Sequence, residues 1–318
     1  MFRLWEECKD AKTIAITGHE RPDGDCVGAS MAAYLFLKKK NPDAQVRVFI
    51  DKPSEKFSCI QDFDKIEYVC PDDYEPDVFI MVDVDKARTG IASGLYDKAK
   101  KTINIDHHIS NQNGSAMVNY VVPTASSASE LIYDVIDRED LDVEIAKAIY
   151  IGMIHDTGIF QYSNTTPKTL QVAADLMSFG FDFTGIIEQT YQQASYIQTQ
   201  IYGRALLESI IFTDGACVVS QIDQKTMDFY GATSNDMNNI AGRLRSIRGV
   251  ECAIFMYEIG TQQYKVSLRS SEKVDVRKVA EIFGGGGHIR AAGCIMNGSF
   301  HDVVNNLSKY IEMQIKEQ

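Results

Sequence analysis

Asn104-Ile105-Asp106-His107-His108 closes the apolar run Thr102 to Ile105 with one acid and two adjacent histidines. The whole chain of 318 residues holds six histidines, so two in succession at the end of a strand-like run mark concentrated chemistry. Three other apolar runs end the same way. Thr13 to Thr17 leads into His19-Glu20-Arg21-Pro22-Asp23-Gly24-Asp25, Val78 to Val82 leads into Asp83, and Ala148 to Ile154 leads into His155-Asp156. The spacing predicts that all four converge on one site.

The runs themselves predict the fold. Thr13–Thr17, Val46–Ile50, Val78–Val82 and Thr102–Ile105 are short and rich in β-branched residues, as buried strands are. Val27–Leu37 and Ile91–Ala99 between them read as helices. Strands alternating with helices imply an α/β architecture with a parallel sheet and right-handed crossovers. Ligands bind such sheets beyond the carboxyl ends of the strands, where these acids and histidines lie. Helices follow at Ser126–Asp137, Val143–Asp156 and Pro167–Phe179, the last opened by Thr165-Thr166-Pro167, with proline at the first helical position.

The Gln- and Tyr-rich segment 188–208 predicts a linker between a first domain at 1–187 and a smaller α/β domain at 209–318. Strands are expected there at Cys217–Ile222, Cys252–Tyr257, Tyr264–Arg269 and near Ala292–Met296, with helices at Val276–Phe283 and Phe300–Ile315. The active-site cleft is expected between the two domains. No internal repeat or low-complexity tract interrupts this plan.

Composition narrows the class. Residues 200–318 balance 13 basic against 13 acidic side chains, so the net charge of −12 falls entirely in residues 1–199. A long nucleic-acid track would need a basic stripe. An acidic domain instead suits divalent cations, through which an anionic substrate can bind. Met1 to Asp10 has no uninterrupted apolar core, so it is not read as a signal peptide. No run approaches the roughly 18–20 apolar residues of a membrane span. The seven cysteines include no CxxC pair, which argues against a disulfide framework or zinc knuckle and makes a cytoplasmic location the expectation.

The site chemistry follows from residue types. Asp23 and Asp25 flank Gly24, and residues two apart in an extended segment point the same way. A helix starting near Val27 aims its N-terminal dipole at the same place, and His19 can close the loop onto a metal. An isolated Asp-Gly-Asp is ordinary turn chemistry, but this one has three companions. His107 and His108, adjacent at a strand end, point to different sides, so one can ligate metal while the other contacts substrate, with Asp106 orienting an imidazole. Asp156 ends an apolar helix, where a carboxylate opposes the dipole unless something cationic compensates. His155, about 100° away round that helix, reads as a residue that packs or supports a ligand from behind. Four carboxylates and two imidazoles can hold two ions sharing one acid. Such mixed ligands suit Mn²⁺ better than Mg²⁺. Two ions roughly 3.5–4 Å apart can activate a water in line with phosphorus and stabilise the leaving oxygen.

These motifs, His19-x-x-x-Asp23-Gly24-Asp25, Asp83, Asp106-His107-His108 and Asp156, resemble the DHH phosphoesterase family across the whole first domain. The resemblance implies His19, Asp23 and Asp83 on one metal, and Asp25, Asp83, His107 and Asp156 on the other. Asp83 would bridge, and His108 would stand near the scissile phosphate, with Asp106 beside it. Phe283-Gly284-Gly285-Gly286-Gly287-His288 with Arg290-Ala291-Ala292-Gly293 resembles the GGGGH motif of the DHH-associated C-terminal domain.

There Gly285, Gly286 and Gly287 would let backbone N–H groups approach a phosphate or sugar, with His288 as a donor. Arg269 could clamp a phosphate bidentately, and Arg88 is a further candidate phosphate contact. Two-domain members of this kind are similar to the branch that degrades short oligoribonucleotides and removes the 3′-phosphate from 3′-phosphoadenosine 5′-phosphate (pAp). The implied cofactors are two Mn²⁺ ions, with Mg²⁺ or Co²⁺ as alternatives. The implied partners are short RNA, dinucleotides and pAp, with no membrane and with room for a homodimer. The rival functions are hydrolysis of linear dinucleotides derived from cyclic messengers, and nucleotide binding without catalysis.

Overall fold

The computed structural model describes residues 2–316. Met1, first in the expected catalytic domain, and residues 317 and 318, last in the second, lie outside the described residues. The chain forms two compact units, Met1–Gln193 and Ala194–Gln318.

The first unit opens with α1 (Leu4–Cys8), then β1 (Thr13–Thr17), α2 (Gly24–Lys40), β2 (Gln45–Phe49), β3 (Ile66–Glu67), β4 (Val78–Val82), β5 (Lys101–Asp106) and β6 (Val118–Val121). The six strands form one sheet in the order β3-β2-β1-β4-β5-β6, every pair parallel. Alternation along the strands separates two cores. Ile14, Ile16, Val78, Ile80 and Val82 face the helices. Ala15, Phe49, Phe79 and Met81 face away, against Ala92 and Leu95. Those two residues belong to a 3₁₀ turn, Gly90–Leu95, where an α-helix over Ile91–Ala99 was expected. Gly90 and Gly94 cost that short segment an α-helical turn, yet it still covers the second face.

The helical face is built from α2, α3 (Ala128–Val135), α4 (Val143–Asp156), α5 (Pro167–Met177) and α6 (Phe183–Ile187). Helix α2 is buried from Gly24 to Leu37. It begins where the Asp23 carboxylate accepts the N–H groups of Asp25 and Cys26, and ends in Lys38-Lys39-Lys40, which complements the helix dipole. Helix α4 crosses it at glycines: a Cβ on Gly28 would lie 2.6 Å from the Ala148 carbonyl oxygen. That contact brings the start of α2 close to the end of α4, and with them Asp25 and Asp156.

Segment 188–208, expected as a linker, contains a π-helical turn (Glu188–Gln192) and α7 (Tyr196–Leu207). Ile201 and Ala205 of α7 are buried in the second unit's core, so this helix is part of that unit. The second unit continues with β7 (Ile210–Phe212), β8 (Cys217–Ile222), α8 (Gln224–Tyr230), α9 (Ile240–Arg245), β9 (Cys252–Gly260) and β10 (Gln263–Ser270). It ends with α10 (Val276–Ile282), β11 (Gly286–His288), β12 (Ala291–Asn297) and α11 (Phe300–Lys316). Its sheet runs β11-β12-β10-β9-β8-β7, antiparallel except for β8 beside β9. Cys252, Ile254 and Met256 face α10 and α11, while Ala253 and Phe255 face α7 and α9. Among the described residues, no helix is long and apolar enough to cross a membrane.

Candidate metal centre and active site

Four chain segments meet beyond the carboxyl ends of β1, β4 and β5. Asp83 is the centre of the group. It is 2% exposed and sits at φ 59°, a left-handed conformation that aspartate tolerates better than most residues. Its N–H is held by the Ile105 carbonyl at 2.9 Å. This turn aims the two carboxylate oxygens in different directions. Oδ2 lies 3.5 Å from His19 Nε2, whereas Oδ1 lies 3.4 Å from His107 Nε2.

Each oxygen thus belongs to its own set of donors. On one side His19 Nε2 is 3.6 Å from Asp23 Oδ1. His19 Nδ1 donates to the Glu20 carbonyl at 2.8 Å, so Nε2 faces the acids and is the nitrogen that offers a lone pair once the ring is neutral. On the other side His107 Nε2 is 3.9 Å from Asp25 Oδ2 and 3.7 Å from Asp156 Oδ2. The potential ligand atoms of His19, Asp23 and Asp83 fall within 4.8 Å of one another, as do those of Asp25, His107 and Asp156.

The residues present fit cations. Asp83 Oδ1 is buried and accepts no hydrogen bond, an expensive state for an anionic oxygen unless a positive charge faces it. Burial, then Asp83 and Asp156, push the Asp25 carboxyl well above the ordinary range, and burial pushes Asp156 up to about 6. Burial works against charge on His107, but Asp83, Asp25 and Asp156 overcome it and raise its pKa to about 10. His19 behaves alike, with Asp23 and Asp83 outweighing burial and lifting it to about 11. The site holds more negative charge than its imidazoles balance.

Asp25 has a second anchor. Its oxygens accept the first N–H groups of α3, from Ala128 at 2.7 Å and Ser129 at 2.9 Å. A Cβ on Gly152 of α4 would sit 1.8 Å from Ser129 Oγ and 2.8 Å from Asp25 Oδ1, so the arrangement requires glycine there.

Asp106 is fully buried and stands behind the histidines. Its Oδ1 accepts the N–H groups of His107 at 2.8 Å and His108 at 3.1 Å, and meets His108 Nδ1 at 2.7 Å. An ionised carboxylate only accepts, so Nδ1 carries the proton and Nε2 is the atom left for substrate. That pairing raises the His108 pKa, and the same contact helps hold Asp106 low against the effect of burial. His155 takes no part. It packs edge-on to Phe57, its Nε2 meets Thr190 Oγ1 at 3.1 Å, and burial lowers its pKa to about 4. A Cβ on Gly24 would strike its ring at 2.2 Å, which explains glycine between Asp23 and Asp25.

Arg88 has its side chain on Asp85 at 3.4 Å, while its carbonyl accepts the Glu20 N–H at 3.1 Å. It ties the two ligand-bearing loops through its backbone. The remaining candidates lie in the second unit. Arg269 is the penultimate residue of β10, opposite Ala291, and Gly286-Gly287-His288 form the exposed edge strand β11. Two glycines there answer to packing: a Cβ on Gly285 would lie 2.2 Å from the Gly293 carbonyl oxygen, and one on Gly287 2.5 Å from that of Ala291. Gly286 faces open space.

Three asparagines escaped the sequence reading of roles. Asn164 Nδ2 donates to Asp156 Oδ2 at 3.1 Å, and Asn111 Nδ2 to Asp106 Oδ2 at 2.7 Å. Asn104 joins Asn111 to the turn after β4. A polar residue at 104 inside an otherwise apolar run was the available signal.

A parallel sheet carrying paired acid–imidazole clusters at its strand ends fits a metal-dependent hydrolase, and sequence comparison identifies its domains. Residues 13–153 match the DHH family, N-terminal domain, and residues 214–317 the DHHA1 domain, so a DHH domain and a DHHA1 domain are both present in the chain. It is 27% identical over 288 residues, covering 90% of this chain and 84% of the relative, to the bifunctional oligoribonuclease and PAP phosphatase NrnA of Thermus thermophilus. It is 25% identical over 307 residues to the cyclic-di-AMP phosphodiesterase PdeA of Listeria monocytogenes, covering 91% of this chain but 45% of that protein. Among solved structures, an exopolyphosphatase-related protein from Bacteroides fragilis superposes with a TM-score of 0.87 at 26% identity, over 96% of this chain and 93% of that one.

Proposed function

We propose that the protein hydrolyses phosphate esters in short oligoribonucleotides, releasing mononucleotides, and converts pAp to AMP, using two Mn²⁺ ions. The observation that carries this reading is Asp83, which groups with His19 and Asp23 through one oxygen and with His107 and His108 through the other, His107 in turn grouping with Asp25 and Asp156. His19, Asp23 and Asp83 would hold one ion, and Asp25, Asp83, His107 and Asp156 the other. Bound there, the ions would polarise the phosphoryl oxygens and activate a water. Mixed nitrogen and oxygen donors favour Mn²⁺ or Co²⁺ over Mg²⁺.

The chain's own groups do the rest. Asp106 occupies Nδ1 of His108 and favours its protonated ring, in which Nε2 carries the proton that can go to the ester oxygen. Arg269, Gly285, Gly286, Gly287 and His288 would bind the nucleotide, and Arg88 would contribute mainly by fixing the Glu20 loop. The Thermus relative supports the substrate class, since this chain covers most of that protein. The test is Mn²⁺-dependent turnover of a labelled RNA dinucleotide, a longer RNA and pAp, with an Asp106→Ala/His107→Ala double variant as blank. Fast turnover of dinucleotide and pAp, lost on chelation and in the variant, is expected. No turnover with Mn²⁺ or Co²⁺ would refute the reading. The Listeria relative, a cyclic-di-AMP phosphodiesterase, supports dinucleotides as a substrate class and so leaves a second reading, cleavage of linear dinucleotides from cyclic messengers. It would be selected by fast turnover of linear pApA with pAp untouched.

A further inference from the structure

Asn104 and Asn111 are buried amides near the site, at 0% and 8% exposure, and the Nδ2 of each is hydrogen-bonded. Asn104 Nδ2 donates to the Val84 carbonyl at 2.8 Å. Its Oδ1 accepts from Asn111 Nδ2 at 2.8 Å. The same Asn111 nitrogen donates to Asp106 Oδ2 at 2.7 Å. One unbroken line of hydrogen bonds therefore runs from the backbone just after Asp83 to the carboxylate behind His108.

Strand geometry explains why these side chains can meet. Asn104 and Asp106 are two apart on β5 and share a face, while Ile103 and Ile105 point into the helical core. Asn104 pairs in register with Met81 of β4, which places its amide beside the chain as it leaves the sheet towards Asp83. Asn111 follows in the turn after His108, close enough to reach back to both.

We propose that Asn104 and Asn111 form an amide relay that positions both halves of the site, the Asp83 turn and the Asp106–His108 pair. The Asp83 backbone is held from two sides, by Ile105 on its N–H and by Asn104 on the next carbonyl. A left-handed residue persists only where its surroundings over-determine it. Without Asn104 the buried Val84 carbonyl loses its donor and the turn is free to relax, which would swing the carboxylate away from His19 and His107. Asn111 acts at the other end. Asp106 Oδ1 already accepts three N–H groups, and the Asn111 bond to Oδ2 fixes the rotation that presents Oδ1 to His108.

The relay needs amides. Aspartate at 104 cannot donate to a carbonyl, and aspartate at 111 would set a second carboxylate against Asp106. Neither asparagine touches a donor set or substrate, so both are positioning residues.

The experiment measures Mn²⁺ binding by calorimetry and melting temperature in the intact protein, together with kcat and KM for pAp. Only the kinetic arm rests on the proposed function. Asn104→Ala is expected to weaken Mn²⁺ binding about 10–100-fold, the usual cost of losing a group that orients a ligand. Asn111→Ala is expected to lower kcat by a similar factor, about 10–100-fold, with Mn²⁺ affinity and KM nearly unchanged. Because Asn111 works through His108, its substitution should be silent in a His108→Ala background. Should Asn104→Ala not fold, Asn104→Ser, which leaves space for a water at the Val84 carbonyl, carries the same expectation.

Lower melting temperatures with unaltered Mn²⁺ affinity and unaltered kcat would overturn the relay. So would an Asn111→Ala loss of equal size with and without His108. Wild-type protein that binds Mn²⁺ yet leaves pAp intact would overturn the substrate assignment alone, and the Asn104 result would still decide the Asp83 half of the relay.

Discussion

Gly152→Ala separates the stability of the first unit from the integrity of its site. The new Cβ would stand 1.8 Å from Ser129 Oγ and 2.8 Å from Asp25 Oδ1. Rotation of the serine hydroxyl would still leave its Cβ 2.7 Å from the new methyl, and the Asp25 carboxylate is held by the Ser129 N–H at 2.9 Å. Overpacking of this kind costs about 1–3 kcal/mol. Alanine in place of glycine in a helix interior returns about 1 kcal/mol. The net loss of folding stability is therefore small, about 0–2 kcal/mol, or a fall in melting temperature of less than about 8 °C for a unit of this size. The site has no such compensation. Displacing Asp25 removes one donor from the set completed by His107 and Asp156, and Mn²⁺ affinity should drop about 10–100-fold. Calorimetric titration and thermal melting on the same sample measure both effects. Adding Ser129→Gly removes the 1.8 Å contact and should recover most of the affinity. Wild-type Mn²⁺ affinity in Gly152→Ala, or a double variant no better than the single one, would refute this account of the α2–α4 crossing.

Glu130 supplies a pH test away from the donor sets. Burial opposes its charge, but Ser126, Thr169 and Lys168 overcome this and lower its pKa. A lowered carboxyl stabilises the fold above the unfolded value of about 4.3 and loses that contribution as pH falls through the folded value. Glu130→Gln should therefore flatten the acid limb of the stability curve, and an unchanged limb in acid melts would show that the contacts contribute nothing. In the second unit, Gly285→Ala would drive a Cβ to 2.2 Å from the Gly293 carbonyl oxygen and should destabilise that unit by about 1–3 kcal/mol. Gly286→Ala meets open space, so it should leave melting unchanged while raising KM for pAp; an unchanged KM would remove Gly286 from nucleotide binding.

The parallel sheet was legible because Val78–Val82 and Thr13–Thr17 are apolar on both faces, a pattern that few other architectures explain. The site was legible because its acids and histidines end those same runs. What escaped depends on contacts distant in sequence. The two-residue β3 is too short to signal a strand, and β6 shows strand residues over only four positions, interrupted by Asn119. Helix α7 looked like a connector because its polar positions outnumber Ile201 and Ala205, the two residues that bury it. The roles of Asn111 and Asn164 exist only once β5 and α4 have placed Asp106 and Asp156 beside them. Gly24, read as part of an Asp-Gly-Asp turn, and Gly152, which carried no signal of its own, are clearances for His155, Ser129 and Asp25.

The bonds from Ala128 and Ser129 to Asp25 have a consequence for motion. Helix α3 has eight residues, a length at which an isolated helix does not persist in water. Part of its N-terminal anchoring comes from an acid more than a hundred positions earlier in the chain. Local opening of α3 must therefore release Asp25, and whatever immobilises Asp25 must slow that opening. The protection of these two amides against hydrogen exchange becomes a gauge of how firmly the centre is assembled, readable with no substrate present.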